Sequence, residues 1–388
     1  MNNTILNTKV QEYIVNNLDG DLFKLAFKKS PFDEVSSQEL MEQISGKLTA
    51  KHKLPSWFNT NGIYYAPKLN LEQTTSEVVA SFKASALKGS RMADITGGFG
   101  VDSYFFSKQF TQVDYFELNP TLCEIATYNF KQLKANNITT QAGDGLALLK
   151  GQYDLIYVDP ARRDSNKNKV FKLSDCVPNV IEQMDTLLSH TQQLVIKTSP
   201  MLDISLGLTQ LNNVSRVMAI ALNNELKELL WCIESDKSTT DIETLAFNIK
   251  NNKLERHGVQ WDKAYLETYS QPKNYLYIPN ASIMKIGHFG AICEQYPVSK
   301  LHADTHFFTS NQQIDFPGRC FIIDQCHKYN KQTMKSLSNT TALVISRNFP
   351  LTVAALRKQW KITDGGSNYL IFTTLLDGEK VVLQCRVI

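Results

Sequence analysis

The chain has little that would brace it covalently. Its cysteines, Cys123, Cys176, Cys232, Cys293, Cys320, Cys326 and Cys385, are odd in number and scattered, with no CxxC pair and no Cys/His set at zinc spacing. A disulfide framework and a structural zinc site are thereby disfavoured. Runs of roughly 18 apolar residues, the length of a membrane span, do not occur; the most apolar stretches, such as 194–196 and 342–345, are strand-length. The amino terminus has neither a basic stretch leading into an apolar one nor a small-residue cleavage site, so no secretory signal is expected and a reduced, cytoplasmic location follows. Proline and glycine are also sparse, 12 and 18 in 388 residues, against 43% hydrophobic and 20% charged residues. That balance excludes collagenous, low-complexity and mainly disordered chains. The length exceeds one ordinary core and suits two to three domains.

Net charge is only +3, but it is unevenly placed. Residues 321–388 hold nine Lys/Arg against four Asp/Glu, so that tail is +5 and the remainder is −2. A compact basic module on a near-neutral body suits a polyanionic partner such as RNA, the alternative being an ordinary solvated lysine surface.

Residues 1 to about 70 read as helical. Ser36 with Glu39 has capping-box form ahead of Leu40, Met41, Ile44 and Leu48 at helical spacing. A second helix is expected after Asn70, its apolar face carried by Val78, Val79, Phe82 and Leu87. From Arg91 strands alternate with helices, the pattern of a parallel sheet covered on both faces. Strands are expected at 92–96, 114–117, 153–158, 194–198 and 216–221, with a helix begun by Asn119 and Pro120. Shorter strands follow at 244–249, 275–278, 306–308 and 321–323. The last segment predicts a strand at 342–346, a helix at 351–360, and strands at 369–375 and 380–387 joined by Asp377-Gly378.

The sharpest feature is Asp94-Ile95-Thr96-Gly97-Gly98-Phe99-Gly100-Val101-Asp102-Ser103, directly after an expected strand and before a helix. Three glycines in four positions let the backbone turn tightly and approach a ligand without an intervening β-carbon. Three further acids fall where the same ligand would meet later strand ends. Glu117 closes the second strand, where a carboxylate accepts from both ribose hydroxyls. Asp144, between Gly143 and Gly145, is placed before the third expected strand, in reach of an adenine amino group. Asp159, in Asp159-Pro160-Ala161-Arg162-Arg163, closes the strand ending at Val158 and points toward whatever reacts. Each acid alone is more often a helix cap or turn residue; together, in sheet order, they read as one site. The Gly-Gly-x-Gly run lacks the G-x-G-x-x-G spacing that seats a pyrophosphate, and its flanking acids, Asp94 and Asp102, would repel one. A cationic ligand is expected instead, and a nicotinamide enzyme is disfavoured.

This arrangement resembles motif I of the class I S-adenosylmethionine-dependent methyltransferases. The likeness extends to the run 71–77, Leu-Glu-Gln-Thr-Thr-Ser-Glu, to Asp159-Pro-Ala-Arg-Arg, to Lys197-Thr-Ser-Pro-Met-Leu-Asp203, to Glu225-Leu-Lys-Glu-Leu-Leu and to Ile345-Ser-Arg-Asn-Phe-Pro-Leu-Thr-Val with Asp364-Gly-Gly. With these the chain is similar to methyltransferases of Bacteroidetes-type bacteria that carry a ferredoxin-like module and a carboxy-terminal THUMP-like domain. The resemblance implies an α/β chain with a Rossmann-like doubly wound sheet and small α+β carboxy-terminal modules. Its divisions would be a helical segment 1–88, a methyltransferase domain 89–240, a ferredoxin-like module 241–320 and a THUMP-like domain 321–388. It implies S-adenosylmethionine as cofactor, held by Asp94, Thr96, Gly97, Gly98, Gly100 and Asp102 at the methionine end, by Glu117 and Leu118 at the ribose, and by Asp144 and Gly145 at the adenine. Gln73, Thr74 and Ser76 would close over it. Asp159, Pro160 and Arg162 would stand in the catalytic motif, Asp159 also contacting the cofactor, with Arg162, Arg163, Lys197 and Ser199 on the substrate side. The usual motif there is Asp/Asn-Pro-Pro-aromatic, whose ring stacks on a flipped base. Arg162 stacks or grips phosphate but has no ring face.

The function expected from this is methyl transfer to a base nitrogen in tRNA or rRNA, with no metal and no membrane. Cys176 and Cys326 read as buried small hydrophobes rather than nucleophiles for pyrimidine C5. His302 and His306 lack a third ligand. Trp57, Trp231, Trp261 and Trp360 read as core, with RNA stacking by Trp57 an alternative. The rival functions are methylation of a small molecule or a protein, with the tail as an oligomer interface, and a non-catalytic RNA-binding module.

Overall fold

The computed structural model describes residues 1–26, 28–162, 173–235 and 241–388. The chain forms two compact units, one of Met1–Ser215 with Leu229–Thr239 and one of Arg216–Glu228 with Thr240–Ile388.

The first unit opens with helices α1 (Thr8–Asn16), α2 (Leu22–Ala26), α3 (Ser37–Lys53), α4 (Pro55–Asn59), α5 (Lys68–Gln73) and α6 (Glu77–Ser85). The capping box at Ser36 and Glu39 is complete at the start of α3. Such a cap is worth about 1 kcal/mol. Trp57 in α4 is fully buried and packs its ring against Phe99, Tyr104 and Phe105, so it is core and stacks on no RNA base. Helix α6 departs from the expected stripe: it buries Val79, Ala80, Lys83 and Ala84, while Val78 is 45% exposed.

The alternating region supplies β1 (Gly89–Asp94), α7 (Val101–Phe106), β2 (Phe110–Glu117), α8 (Pro120–Gln132), β3 (Ile138–Ala142), α9 (Gly145–Leu148), β4 (Leu155–Val158), β5 (Ala161–Arg162), β6 (Cys176–Val177), α10 (Met184–His190), β7 (Gln193–Thr198) and α11 (Ile204–Gln210). Asn119 caps α8 through the Thr121 and Leu122 N–H groups, with Pro120 in the first turn. Strands β8 (Val214–Leu222) and β9 (Glu225–Glu234) follow. The strand order in this unit is β9-β7-β4-β1-β2-β3, parallel except where β9 runs antiparallel to β7. The β4 residues Leu155, Ile156, Tyr157 and Val158 are at most 1% exposed, as expected of a strand covered on both faces. Strand order reverses at β1, which has β2 on one side and β4 on the other, and open α/β sheets bind ligands at such a switch point.

Strand β3 is not legible in Ile-Thr-Thr-Gln-Ala, because it is an edge strand with little buried surface. Asp144 precedes the strand expected at 153–158, now β4, and with β3 present it also stands at the end of a further strand.

In the second unit β8 pairs in parallel with β10 (Glu243–Lys250), which pairs antiparallel with β11 (Lys253–Gln260). Asn223-Asn224 and Asn251-Asn252 have positive φ at both positions, the requirement of a tight type I′ hairpin turn. These two Asn-Asn pairs are the sequence signal for β9 and β11, neither of which the apolar pattern predicts. The remaining elements are β12 (Tyr275–Pro279), α12 (Ala281–Ile286), α13 (Phe289–Gln295), β13 (Ser299–Lys300), β14 (Phe308–Ser310), β15 (Gly318–Lys328), α14 (Lys331–Ser336), β16 (Leu343–Ser346), α15 (Val353–Trp360), β17 (Asn368–Thr374) and β18 (Lys380–Val387). They form a sheet in the order β13-β14-β12-β15-β18-β17-β16. Alternate residues feed two cores: Phe321, Ile371 and Leu383 belong to one, while Leu370, Phe372 and Val382 join Met334 of α14 and Leu356 of α15 in the other. The expected strand at 306–308 begins instead at Phe308, since His306 has a φ of 50° and stacks on Phe289. Cys176 is buried as expected, but Cys326 is exposed.

No helix of the described residues is long and apolar enough to cross a membrane.

Candidate active site

A cavity of about 550 Å³ lies in the first unit at the carboxyl ends of the strands, within the roughly 300–1,000 Å³ usual for small-molecule sites. In sheet order its wall receives Asp159 after β4, Asp94 at the end of β1, Glu117 at the end of β2 and Asp144 after β3.

The glycine turn between β1 and α7 is built to leave room. Gly97 donates its N–H to the Phe116 carbonyl at 2.8 Å, and a Cβ there would stand 2.0 Å from the Tyr115 ring. Gly98 and Gly100 have φ of 58° and 85°, the left-handed region that favours glycine. Glu117 holds this turn by accepting from the Gly98 N–H at 2.8 Å and from the Asn119 N–H at 2.8 Å. Leu118 beside it is 68% exposed on the cavity wall. Asp144 accepts from the Leu146 N–H and so caps α9, while Gly145 packs so close to Ile95 that a Cβ would meet its carbonyl oxygen at 2.6 Å.

Asp94 is 1% exposed and accepts from the Thr96 N–H at 3.1 Å and from the Ser103 hydroxyl at 2.5 Å. Burial pushes its carboxyl up to about 7; the Ser103 and Thr96 bonds oppose the shift, and nearby Asp102 and Asp159 add to it. A folded-state value above the unfolded one means that the folded protein keeps a proton the unfolded chain has lost. Stability therefore falls as pH rises from the ordinary aspartate value toward 7, by at most about 1.4 kcal/mol per unit. Asp94→Asn, which cannot ionise, is expected to gain stability relative to the wild type progressively from about pH 4 to pH 7 in urea denaturation and to level off above that. A difference independent of pH would contradict the buried, protonated carboxyl.

Asp102 shows the opposite balance. Burial alone would raise its carboxyl, but Lys83 and then Lys197 hold it below the usual aspartate range. Its Oδ2 accepts from Lys83 Nζ at 3.0 Å, from the Tyr157 hydroxyl at 3.0 Å and from the Thr75 hydroxyl at 3.1 Å. Its Oδ1 is buried without a partner among the described residues. A buried carboxylate oxygen on a cavity wall with no donor is an open acceptor for a bound donor group.

Thr75 extends this network, since its hydroxyl also accepts from Lys197 Nζ at 3.2 Å. Lys197 in turn donates to Asp159 Oδ2 at 2.5 Å. The Asp159 N–H donates to the Thr96 hydroxyl at 2.7 Å, which ties the β4 end to the glycine turn.

The cavity thus brings together Gln73, Thr74, Asp94, Thr96, Gly97, Gly98, Asp102, Glu117, Leu118, Asp144, Gly145, Asp159 and Lys197 of the expected residues. Others stand elsewhere. Ser76 is the N-cap residue of α6 and Gly100 packs against Phe130. Pro160 is buried, and the Ser199 hydroxyl accepts from the Met201 N–H. None of these four lines the cavity. The backbone of Arg162 pairs with Cys176 across β5 and β6, and its side chain and Arg163 lie outside the described residues. Sequence reasoning misses Thr75, Lys83 and Tyr157. Lys83 has a signal, a lysine one helical turn from Val79 on an otherwise apolar face; Thr75 and Tyr157 have none beyond adjacency. No group of three His, Cys, Asp or Glu among the described residues is placed to hold a metal ion.

Residues 275–317 match a ferredoxin-like domain and residues 318–387 a THUMP domain-like family. Among solved structures, the chain is similar to a putative methyltransferase from Porphyromonas gingivalis W83, with 26% identity, a TM-score of 0.88, and 100% of this chain and 99% of that one covered. A putative class I S-adenosylmethionine-dependent methyltransferase from Listeria monocytogenes matches at 13% identity and a TM-score of 0.38, covering 62% of this chain and 93% of that one. The M. jannaschii tRNA m1G37 methyltransferase matches at 11% identity and a TM-score of 0.30, covering 42% and 49%. No curated protein matches the chain in sequence. The full-length match gives the chain the fold of the Porphyromonas methyltransferase-like protein, with the α/β sheet expected from the sequence and a separate small sheet at the carboxyl end.

Proposed function

We propose that the protein is an S-adenosylmethionine-dependent methyltransferase acting on RNA, tRNA or rRNA, with a base nitrogen as acceptor. The observation that carries this reading is the set of four acidic side chains at neighbouring strand ends, Asp159, Asp94, Glu117 and Asp144, on the wall of one cavity at the switch point. The residues fit the cofactor: the glycine turn leaves backbone-width space, and Asp102 offers an orphan acceptor suited to an ammonium group. Asp94, Thr96, Gly97, Gly98 and Asp102 would hold the methionine end, Glu117 and Leu118 the ribose, and Asp144 and Gly145 the adenine. Gln73 and Thr74 would cover it. The bound cofactor supplies a methyl already activated by its sulfonium, so alignment of the acceptor is the main task left to the protein. Asp159 is the group we assign to that task.

The choice of RNA rests on the THUMP domain-like match and on charge. Helices α14 and α15 carry Lys331, Lys335, Arg357 and Lys358 and no acidic residue. Three of the four acids of the same segment pair with its own cations, Asp324 with Arg386, Asp364 with Arg357 and Glu379 with Lys328, and the fourth, Asp377, accepts from the Gln271 side chain. Because β15 pairs with β12 on one side and β18 on the other, cutting the chain near residue 320 would break one sheet, so surface charge is the variable to test. Replacing Lys331, Lys335 and Lys358 by alanine is expected to flatten the slope of log affinity for single-stranded RNA against log salt by roughly 2, about 0.7 for each phosphate that a lysine no longer neutralises. An unchanged slope would remove this face from RNA binding.

The reaction is tested by incubating the purified protein and labelled S-adenosylmethionine with an unmodified cell extract, then fractionating. Label in a nuclease-sensitive fraction is expected. Label confined to protein or small molecules would reject the RNA assignment, and none in any fraction would reject transfer itself.

A further inference from the structure

We infer that Lys197 is a positioning residue that clamps the Asp159 carboxylate and so presents its second oxygen to the methyl acceptor. The inference rests on the assignment of Asp159 above. The backbone at Asp159 is already fixed on two sides. Its N–H is bonded to the Thr96 hydroxyl at 2.7 Å, and it precedes Pro160, which confines it to extended conformations. Only the side-chain torsions remain to be set. Lys197, at the end of the neighbouring strand β7, sets them by donating to Oδ2 at 2.5 Å, a short charge-assisted bond that is stronger than a neutral one.

Lys197 is itself held. Its side chain is 13% exposed and its ammonium also donates to the Thr75 hydroxyl at 3.2 Å, and that hydroxyl donates to Asp102. The segment after α5, the end of β7 and the end of β4 therefore meet at one ammonium. Asp159 lines the cavity with its side chain 37% exposed, and among the described residues only its Oδ2 is bonded, so one oxygen is locked and the other is left open. A lysine placed merely to grip substrate would not spend its donors on two residues of the wall. Lys83 is the ion-pair partner of Asp102 and Lys197 that of Asp159, with Thr75 bonded to both Lys197 and Asp102.

The test compares wild type, Lys197→Met and Lys197→Arg. Transfer to RNA is followed under saturating cofactor, affinity for S-adenosylhomocysteine is measured by calorimetry, and each protein is crystallised. In Lys197→Met we expect kcat lowered by roughly 10²-fold, KM for RNA and S-adenosylhomocysteine affinity within about 3-fold of wild type, and Asp159 turned from its wild-type orientation; Lys197→Arg should recover part of kcat. A Lys197→Met protein with unchanged kcat, or one whose loss lies in S-adenosylhomocysteine affinity, would overturn the clamp. So would an Asp159 that keeps its orientation in the Lys197→Met crystal. That crystallographic result decides the clamp even if the wild type methylates no RNA, an outcome that would count against the reaction assigned above.

Discussion

Asp159→Ala is expected to lower methyl transfer by roughly 10²–10³-fold, the range for losing a group that orients the reacting atoms or handles a proton, while S-adenosylhomocysteine still binds. The two readouts separate because of where the carboxylate stands. The other strand-end acids bond into the glycine turn or cap the helix beyond it: Glu117 accepts from the Gly98 N–H and Asp144 from the Leu146 N–H. The Asp159 side chain instead bonds to Lys197. The backbone N–H that anchors it to Thr96 survives the substitution. Removing this side chain should therefore leave the turn intact and take away only what faces the acceptor. Asp159→Asn sharpens the result. An amide retains one acceptor oxygen, so a loss much smaller than that of the alanine variant would mark orientation as the role, and an equal loss would mark the charge. Unchanged turnover in Asp159→Ala would take the residue out of the reaction, and a parallel collapse of S-adenosylhomocysteine affinity would move it to the cofactor.

The parts of this site that are legible in the sequence are those where local backbone chemistry dictates residue type. Gly97, Gly98 and Gly100 have to be glycine because of a ring 2.0 Å from a would-be Cβ at Gly97 and positive φ at the other two, and such demands leave a motif. The buried strand β4 leaves an unbroken apolar run for the same kind of reason. What is not legible depends on bonds between distant segments. Thr75 and Lys83 at α6, Tyr157 in β4 and the motif residue Asp102 come from three separate stretches of chain and meet only in the folded protein. Strand β9 is hidden differently: Glu225-Leu-Lys-Glu is composed of good helix formers, yet it opens a strand whose later residues, 229–234, pair with β7. The Asn-Asn turn before it is the local signal that outweighs helix propensity there.

Lys83→Met should be the most destabilising single substitution near the site, by about 3–5 kcal/mol at neutral pH, as when one partner of a buried ion pair is removed. Methionine fills nearly the same volume, so little of the loss is a cavity. What remains is Asp102 with 12% of its side chain exposed, still accepting from Tyr157 and Thr75 but stripped of its nearest cation. In the wild type its carboxyl is held below the usual value, so the pair adds stability above the unfolded aspartate pKa, and that contribution is lost as pH falls through the folded one. Without Lys83, burial dominates and the carboxyl moves upward, so the penalty of ionising it grows as pH rises. The stability gap between variant and wild type should therefore widen from pH 4.5 to pH 7 in urea denaturation. A gap of equal size at both pH values would assign the loss to packing. Adding Asp102→Asn removes the orphaned charge, and the double variant should regain most of the stability, because replacing both partners of a buried pair is often close to neutral. Since Asp102 also carries the open acceptor on the cavity wall, that double variant should fold well and bind S-adenosylhomocysteine poorly, which would separate the ion pair's part in folding from its part in the site.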